Sequence, residues 1–143
     1  MNEINKHPDC NVKKTGGVYE TKPYGNIKQQ NFYNTAAFIK TSLSPKELLL
    51  FIKELEIKNG RTSSERWGQR EIDIDILFYD DLISSDEELT VPHKEIELRD
   101  FVLLPLADID GEFIHPVSRK SISALLVEAG NGNILKKVSG KIL

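Results

Sequence analysis

The sequence has one cysteine, no long apolar run and no excess of basic residues. Cys10 alone excludes an internal disulfide, and no Cys/His group has zinc-site spacing, which suits a reducing cytoplasm. No apolar run approaches the roughly 20 residues that span a bilayer, and the N-terminus lacks the basic and apolar parts of a signal peptide. The formal charge of -3 offers no overall attraction for nucleic acid or anionic lipid. We therefore expect a cytoplasmic protein whose partners are small molecules, not nucleic acid or a membrane.

Two nucleotide-binding fingerprints are also absent. The chain has neither a Walker A loop nor a G-x-G-x-x-G motif, which argues against a P-loop or Rossmann site. Its 143 residues and 39% hydrophobic content suit one core, and it shows no repeat, low-complexity stretch or linker. Strands mixed with helices predict a single α+β domain over residues 1–143.

The order of predicted elements follows from periodicity and turn residues. The clearest is a helix that begins at the capping box Ser44-Pro45-Lys46-Glu47 and ends near Gly60. The first residues read as the last turn of a helix. Strands are predicted over Val12–Glu20 (broken at Gly16-Gly17), Phe32–Thr41, Glu71–Tyr79 and Ile134–Val138, and Glu88–His93 is predicted to be mostly extended. Further helices are predicted over part of Glu95–Leu106 and over Ser121–Glu128.

Asp73 and Asp75 form the first candidate site. They alternate with Ile72, Ile74 and Ile76, the period-2 pattern of a half-buried strand, so both carboxylates project from one face. Carboxylates at this spacing can converge on a pair of magnesium ions. A solvated strand face also explains the pair, and for the pair taken alone it is the better interpretation.

A basic loop precedes this pair and carries Arg61, Arg66 and Arg70. Guanidinium forks bind phosphate oxygens bidentately, so the loop and the carboxylates together favour a nucleotide triphosphate with magnesium over a merely solvated loop. Trp67 either stacks on a planar ligand or covers the edge of the core. His93 is either a phosphate ligand or proton carrier, or a capped surface histidine. His7 and His115 are predicted to be structural.

The segment around these residues resembles a known family. The segment from Arg66 to Leu77 resembles the R-W-G-P-R-x-[IL]-D-[IL]-D-[IL] signature of 6-hydroxymethyl-dihydropterin pyrophosphokinases, with Gln69 in place of the usual proline. Tyr19–Gly25 with Phe32-Tyr33-Asn34 resembles the family's pterin segment. Leu89–His93 followed by Arg99–Leu103 resembles its next block. These matches cover nearly the whole chain in the family's order.

The resemblance implies a ferredoxin-like antiparallel sheet with helices on its faces and transfer of pyrophosphate from ATP to the pterin hydroxymethyl group, releasing AMP. It implies that Asp73 and Asp75 hold two Mg²⁺ ions, and that Arg61 and Arg70 are catalytic arginines that neutralise the triphosphate. The residues implied for the pterin are Thr21, Pro23, Tyr24, Phe32, Asn34, Trp67 and Phe101. Those implied for ATP are Lys53, Glu56, Arg61, Arg66, Arg70, Ile76, Leu89, Thr90, His93 and Arg99.

The N-terminal end of the chain differs from the family's pattern. Family members begin with a strand that ends in a Gly-Ser-Asn loop and leads into a full helix, whereas this chain starts near the end of that helix. Loss of that central strand would leave ladder groups unpaired. We therefore expect a misassigned start or a shortened sequence, and the activity of this form stays open. Lys53 stands where glutamine is common, and the loop between Arg61 and Trp67 is short for the family.

Two hypotheses follow, a working pyrophosphokinase and a non-catalytic pterin-binding remnant of the same family. A magnesium-dependent nuclease is disfavoured because the chain lacks a basic stripe for a phosphate backbone. A monomer is the default expectation.

Overall fold

The computed structural model describes residues 2–21, 32–58, 73–130, 132 and 134–139. Its helices are α1 (Asn2–Asn5), α2 (Pro45–Lys58), α3 (Asp100–Asp110) and α4 (Ile122–Ala129), with a 3₁₀ turn over Ile96–Leu98. Its strands are β1 (Cys10–Thr15), β2 (Val18–Thr21), β3 (Phe32–Asn34), β4 (Ala37–Thr41), β5 (Ser84–Ser85), β6 (Thr90–Val91) and β7 (Ile134–Ser139). Among the described residues, no helix is both long and apolar enough to cross a bilayer.

The strands pair in antiparallel fashion. Within the described part of the chain they form three small sheets: β1 with β4, β2 between β3 and β7, and β5 with β6. Helices pack beside them, and α3 contacts β1, β2, β3 and β4. The predicted α+β class is confirmed.

The break predicted at Gly16-Gly17 is confirmed, since β1 ends before it and β2 begins after it. The single strand predicted over Phe32–Thr41 is wrong, because it is divided into β3 and β4 by Thr35 and Ala36. The two breaks lie opposite each other: the Gly16 amide donates to the Ala36 carbonyl at 2.9 Å, and the Thr35 hydroxyl donates to the Gly16 carbonyl at 3.3 Å. The interruption between β1 and β2 therefore coincides with the interruption between β3 and β4.

Helix α2 begins as predicted. The Ser44 amide donates to Glu47 Oε1 at 2.8 Å, and the Glu47 amide donates to Ser44 Oγ at 3.2 Å, which is a reciprocal capping box. Leu48, Ile52 and Leu55 form its buried stripe. This stripe fixes which face of α2 remains available to a ligand.

The strand predicted over Glu71–Tyr79 is wrong for residues 73–78, which are not part of any sheet ladder among the described residues. The predicted alternation nevertheless holds, with Asp73 and Asp75 exposed and Ile74 and Ile76 half-buried. Backbone groups of this segment form hydrogen bonds outside a sheet ladder. The Ile74 amide donates to Glu56 Oε2, and the Leu77 carbonyl accepts from the His93 amide. The period of a sequence predicts which side of a segment is buried, but it does not predict the segment with which its backbone forms hydrogen bonds.

The two later helices and the last strand agree with the predictions from the sequence. Helical structure over Glu95–Leu106 takes the form of the 3₁₀ turn and α3, and α4 begins after Ser121, whose hydroxyl accepts from the Ala124 amide at 3.1 Å. Strand β7 covers the predicted Ile134–Val138.

Two apolar clusters stabilise these elements. One contains Ile96, Leu103, Ile122 and Leu125, and the other contains Cys10, Leu48 and Ile52. The buried His115 has a structural role, because its Nδ1 accepts from the amides of Val117 and Ser118 at 3.1 and 3.2 Å. Both clusters border segments that carry predicted site residues.

Candidate active site

A cavity of about 500 Å³ opens between α2, the segment 73–76, the β5–β6 hairpin and the turn that leads into α3. It contains every described residue that was predicted for the ATP or metal side. These residues are Lys53, Glu56, Asp73, Asp75, Ile76, Leu89, Thr90, His93 and Arg99. Elements far apart in the sequence therefore bring the predicted ATP and metal residues to one place, while their individual roles stay predictions.

Helix α2 provides one wall. Lys53 and Glu56 are three residues apart, so they lie on the same side of the helix, and both line the cavity. Glu56 is half-buried, and its Oε2 accepts from the Ile74 amide at 2.7 Å. This bond ties the segment that carries Asp73 and Asp75 directly to α2.

Asp73 and Asp75 face the open side of the cavity, while Ile74 and Ile76 pack against the cluster around Leu48. Exposed carboxylates suit Mg²⁺, which takes oxygen ligands and usually completes its octahedron with phosphate oxygens and water. Among the residues described, no three His, Cys, Asp or Glu side chains converge as a closed metal cage. The exposed pair of carboxylates fits a metal that arrives with a phosphate ligand.

The β5–β6 hairpin forms the opposite wall and supplies Leu89 and Thr90. Lys46, in the first turn of α2, lies 3.3 Å from Asp86 and 3.6 Å from Glu88 in this hairpin. The Glu88 amide and the Lys46 ammonium lower the pKa of Asp86, and Asp86 in turn raises the pKa of Lys46. These exposed pairs join the hairpin to α2, although pairs of this kind contribute little stability.

His93 and Arg99 complete the wall near α3. The Nδ1 of His93 accepts from the Glu95 amide at 3.3 Å, so in the neutral ring Nε2 carries the proton. A donor at Nε2 suits a phosphate oxygen. Arg99 forms an ion pair with Glu95, and its guanidinium carbon lies 5.8 Å from the centroid of the Phe101 ring.

The residues predicted for the pterin lie outside this cavity lining, as far as the structure describes them. Asn34 is half-buried on β3, and Phe101 is half-buried in the first turn of α3. Thr21 ends β2 and Phe32 begins β3, and these two residues are paired across the ladder. Pro23, Tyr24, Arg61, Arg66, Trp67 and Arg70 lie outside the described residues.

Sequence reasoning missed several lining residues: Leu49, Ile52, Ile74, Glu88, Lys94 and Glu95. A helical signal could have found Leu49 and Ile52, because they lie one turn before Lys53 and Glu56. Nothing comparable marks Glu88, Lys94 or Glu95, since each is an exposed charged residue in a short or irregular segment. The described lining contains more carboxylates than basic groups.

The sequence model of one protein family, described as 7,8-dihydro-6-hydroxymethylpterin-pyrophosphokinase (HPPK), matches residues 1–111 of this chain. The chain belongs to this family. The HPPK match includes the cavity described above and the strands that carry the predicted pterin residues.

Named relatives agree with the HPPK assignment. The 2-amino-4-hydroxy-6-hydroxymethyldihydropteridine pyrophosphokinase of Aquifex aeolicus (strain VF5) is 47% identical over 111 residues, which is 78% of this chain and 69% of that protein. The protein of the same name in Haemophilus influenzae is 35% identical over 119 residues, covering 83% and 74%.

The bifunctional protein FolKE of Lactococcus lactis subsp. lactis (strain IL1403) is 42% identical over 136 residues. That alignment covers 94% of this chain but 39% of FolKE. The chain therefore corresponds to a part of this relative.

Proposed function

We propose that this HPPK-family chain transfers pyrophosphate from ATP to the hydroxymethyl group of 6-hydroxymethyl-7,8-dihydropterin, a step of folate biosynthesis. The observation that carries the proposal is the single cavity that gathers the predicted ATP and metal residues on α2, the segment 73–76 and the approach to α3. The family and the relatives named as pyrophosphokinases support the same reaction.

In the proposed reaction, the pterin hydroxyl oxygen forms a bond to the β-phosphorus of ATP. The bond between that phosphorus and the oxygen that bridges to the α-phosphorus breaks, AMP leaves with this oxygen, and the hydroxyl proton is released. Such a transfer needs positioning and charge neutralisation more than covalent help. Bound magnesium would supply neutralisation of the triphosphate charge.

The residues divide into three groups in this proposal: those of the magnesium site, those that contact the triphosphate and those that place the pterin. Asp73 and Asp75 hold two Mg²⁺ ions. Glu56 keeps the backbone between these carboxylates in place through the Ile74 amide, and Nε2 of His93 donates to a phosphate oxygen. Arg61, Arg66 and Arg70 neutralise the triphosphate, and Arg61 and Arg70 stabilise the departing AMP.

The pterin is placed by the third group. Asn34 offers amide groups to the ring edge, and the rings of Phe32, Phe101 and Trp67 stack on its faces, with Thr21, Pro23 and Tyr24 completing the edge. The protein would act as a cytoplasmic monomer on small molecules. The lone Cys10 supports a reducing compartment. The formal charge of -3 supports small molecules, and not nucleic acid, as its partners.

The direct test incubates the purified chain with ATP, magnesium and 6-hydroxymethyl-7,8-dihydropterin. We expect AMP and the pyrophosphorylated pterin in equal amounts, and no AMP when the pterin is omitted. Asp73→Asn and Asp75→Asn each lower kcat by on the order of a hundredfold, because charge stabilisation in the transition state is lost.

Asp81→Asn is the matched control, since Asp81 is an exposed carboxylate outside the cavity lining. Formation of ADP instead of AMP would refute the proposed transfer. Folded wild-type protein that binds the pterin but no ATP analogue would instead identify a non-catalytic pterin-binding protein.

A further inference from the structure

Asp108, near the end of α3, joins this helix to the junction of β1 and β2. Its Oδ2 accepts from the Gly17 amide at 2.9 Å and from the Tyr19 hydroxyl at 2.6 Å. The backbone approaches closely at the same place, because a Cβ on Gly16 would lie 2.4 Å from the Pro105 carbonyl oxygen. Helix and strand are thus held together by two hydrogen bonds and one backbone contact.

The hydrogen bond from Tyr19 is donated by a buried phenol to a carboxylate. The Tyr19 side chain is buried, and this burial, followed by the hydrogen bond to Asp108 and the negative charge of that carboxylate, raises its pKa to about 12. The phenol therefore stays protonated and remains a donor at any physiological pH. Hydrogen bonds to a carboxylate are also stronger than bonds between neutral groups.

On the strand side, this contact lies beside a predicted pterin ligand. Tyr19 pairs with Asn34 across the β2–β3 ladder, without a bulge at this position. Residues directly opposite each other in an antiparallel pair project from the same face. The position of Tyr19 therefore fixes the position of Asn34.

On the helix side, the same contact governs a second predicted pterin ligand. Phe101 precedes Asp108 by seven residues of α3, so both lie on nearly the same face, about 10 Å apart along the helix axis. Pulling Asp108 onto Tyr19 and Gly17 therefore sets the rotation of α3 about its axis, and with it the direction in which Phe101 faces.

We propose that Asp108 and Tyr19 are positioning residues that set the separation between Asn34 and Phe101 and thereby the affinity for the pterin. The inference rests on the proposed function, because it assumes that these two residues contact the pterin. Neither Asp108 nor Tyr19 needs to touch the substrate. Nucleotide binding is not expected to depend on them, since neither lines the ATP-side cavity.

The test measures two affinities by calorimetry: that of an ATP analogue with magnesium, and that of the pterin in the presence of saturating analogue. Asp108→Leu removes the acceptor for both donors, and we expect the pterin Kd to rise about tenfold, the effect of losing a hydrogen bond to a charged group. Tyr19→Phe removes one donor and gives a smaller rise. Asp108→Asn keeps an acceptor oxygen and restores most of the affinity.

Asp110→Leu is the matched control. It removes a carboxylate from the same helix, and the Asp110 side chain accepts from the nearby Glu112 amide at 3.1 Å, a contact within the end of the helix. We expect its pterin Kd to equal that of the wild type, and the analogue Kd to be unchanged in all variants.

Two results overturn the positioning role while leaving the proposed function intact. One is an unchanged pterin Kd in Asp108→Leu. The other is an equal loss of pterin and analogue affinity, which would indicate a general effect on folding. Wild-type protein without pterin affinity overturns the proposed function, and this inference with it.

Discussion

Lys94 shows what a single side chain adds to the cavity. It lies between His93 and Glu95 on a wall rich in carboxylates, and it brings one of the few positive charges of the described lining. An exposed lysine attracts a polyphosphate equally in the ground state and in the transition state. Its contribution should therefore appear in substrate affinity and not in the chemical step.

We predict that Lys94→Gln raises the KM for ATP about threefold, the scale expected for one exposed charge pair, and leaves kcat nearly unchanged. Steady-state kinetics at varied ATP concentration measure both parameters. Lys13→Gln, which neutralises an exposed lysine on β1 away from the cavity, is the control. A fall in kcat with constant KM would contradict this interpretation of Lys94.

Asp75 and Lys94 show which cavity residues could be predicted from the sequence and which could not. Alternation with isoleucines marked Asp73 and Asp75 as sharing a face, and their exposure agrees with it. Lys94 follows the end of an extended segment, where no period defines a face. Its place in the cavity depends on how His93 hydrogen-bonds to Leu77, and that is a tertiary contact.

Among the contacts between whole elements, α3 packs closely on the junction of β1 and β2. Gly16 is required there because the Pro105 carbonyl oxygen occupies the space of a side chain. The clash would be with backbone, which cannot rotate away as a flexible side chain can. Gly132 offers a comparison, since a Cβ at that position meets nothing within 4 Å.

We predict that Gly16→Ala lowers the free energy of unfolding by about 1–3 kcal/mol, the usual cost of overpacking. Gly132→Ala should change it by a few tenths of a kcal/mol at most. Urea denaturation followed by circular dichroism compares the two. If Gly16→Ala were as stable as the wild type, the close approach of α3 would not restrict residue 16 to glycine.

Local signals determined the helices better than the strands. The capping box at Ser44 and the apolar stripe of α2 are properties of neighbouring residues, and the capping box was predicted and is confirmed. Residues 73–78 have the alternation of a strand but no ladder partner among the described residues. A strand depends on a second segment, so its own sequence is an incomplete predictor.

At the scale of the whole molecule, charge opposes the proposed substrate. The chain carries a formal charge of -3. The described lining of the cavity carries carboxylates at Glu56, Asp73, Asp75, Glu88 and Glu95, against basic groups at Lys53, Lys94 and Arg99. A free ATP tetra-anion is repelled by such a surface. If the proposed function is correct, we expect magnesium to be needed for binding of the nucleotide as well as for the chemical step.

This charge balance predicts opposite effects of one double variant under two conditions. Replacing both Asp73 and Asp75 by asparagine removes two negative charges and both predicted magnesium ligands. Binding of an ATP analogue with magnesium should weaken at least about tenfold because the metal bridge is lost. Binding in EDTA should instead become severalfold tighter because repulsion between carboxylate and phosphate is relieved.

Calorimetry with and without EDTA measures both effects, and Asp81→Asn should leave both affinities at the wild-type values. Weaker binding in both conditions would show that the carboxylates act by holding the fold. Equal tightening in both would show that they only repel the nucleotide. Because charge relief and loss of a metal ligand have opposite signs, the crossing of the two affinities identifies Asp73 and Asp75 as metal ligands without relying on turnover.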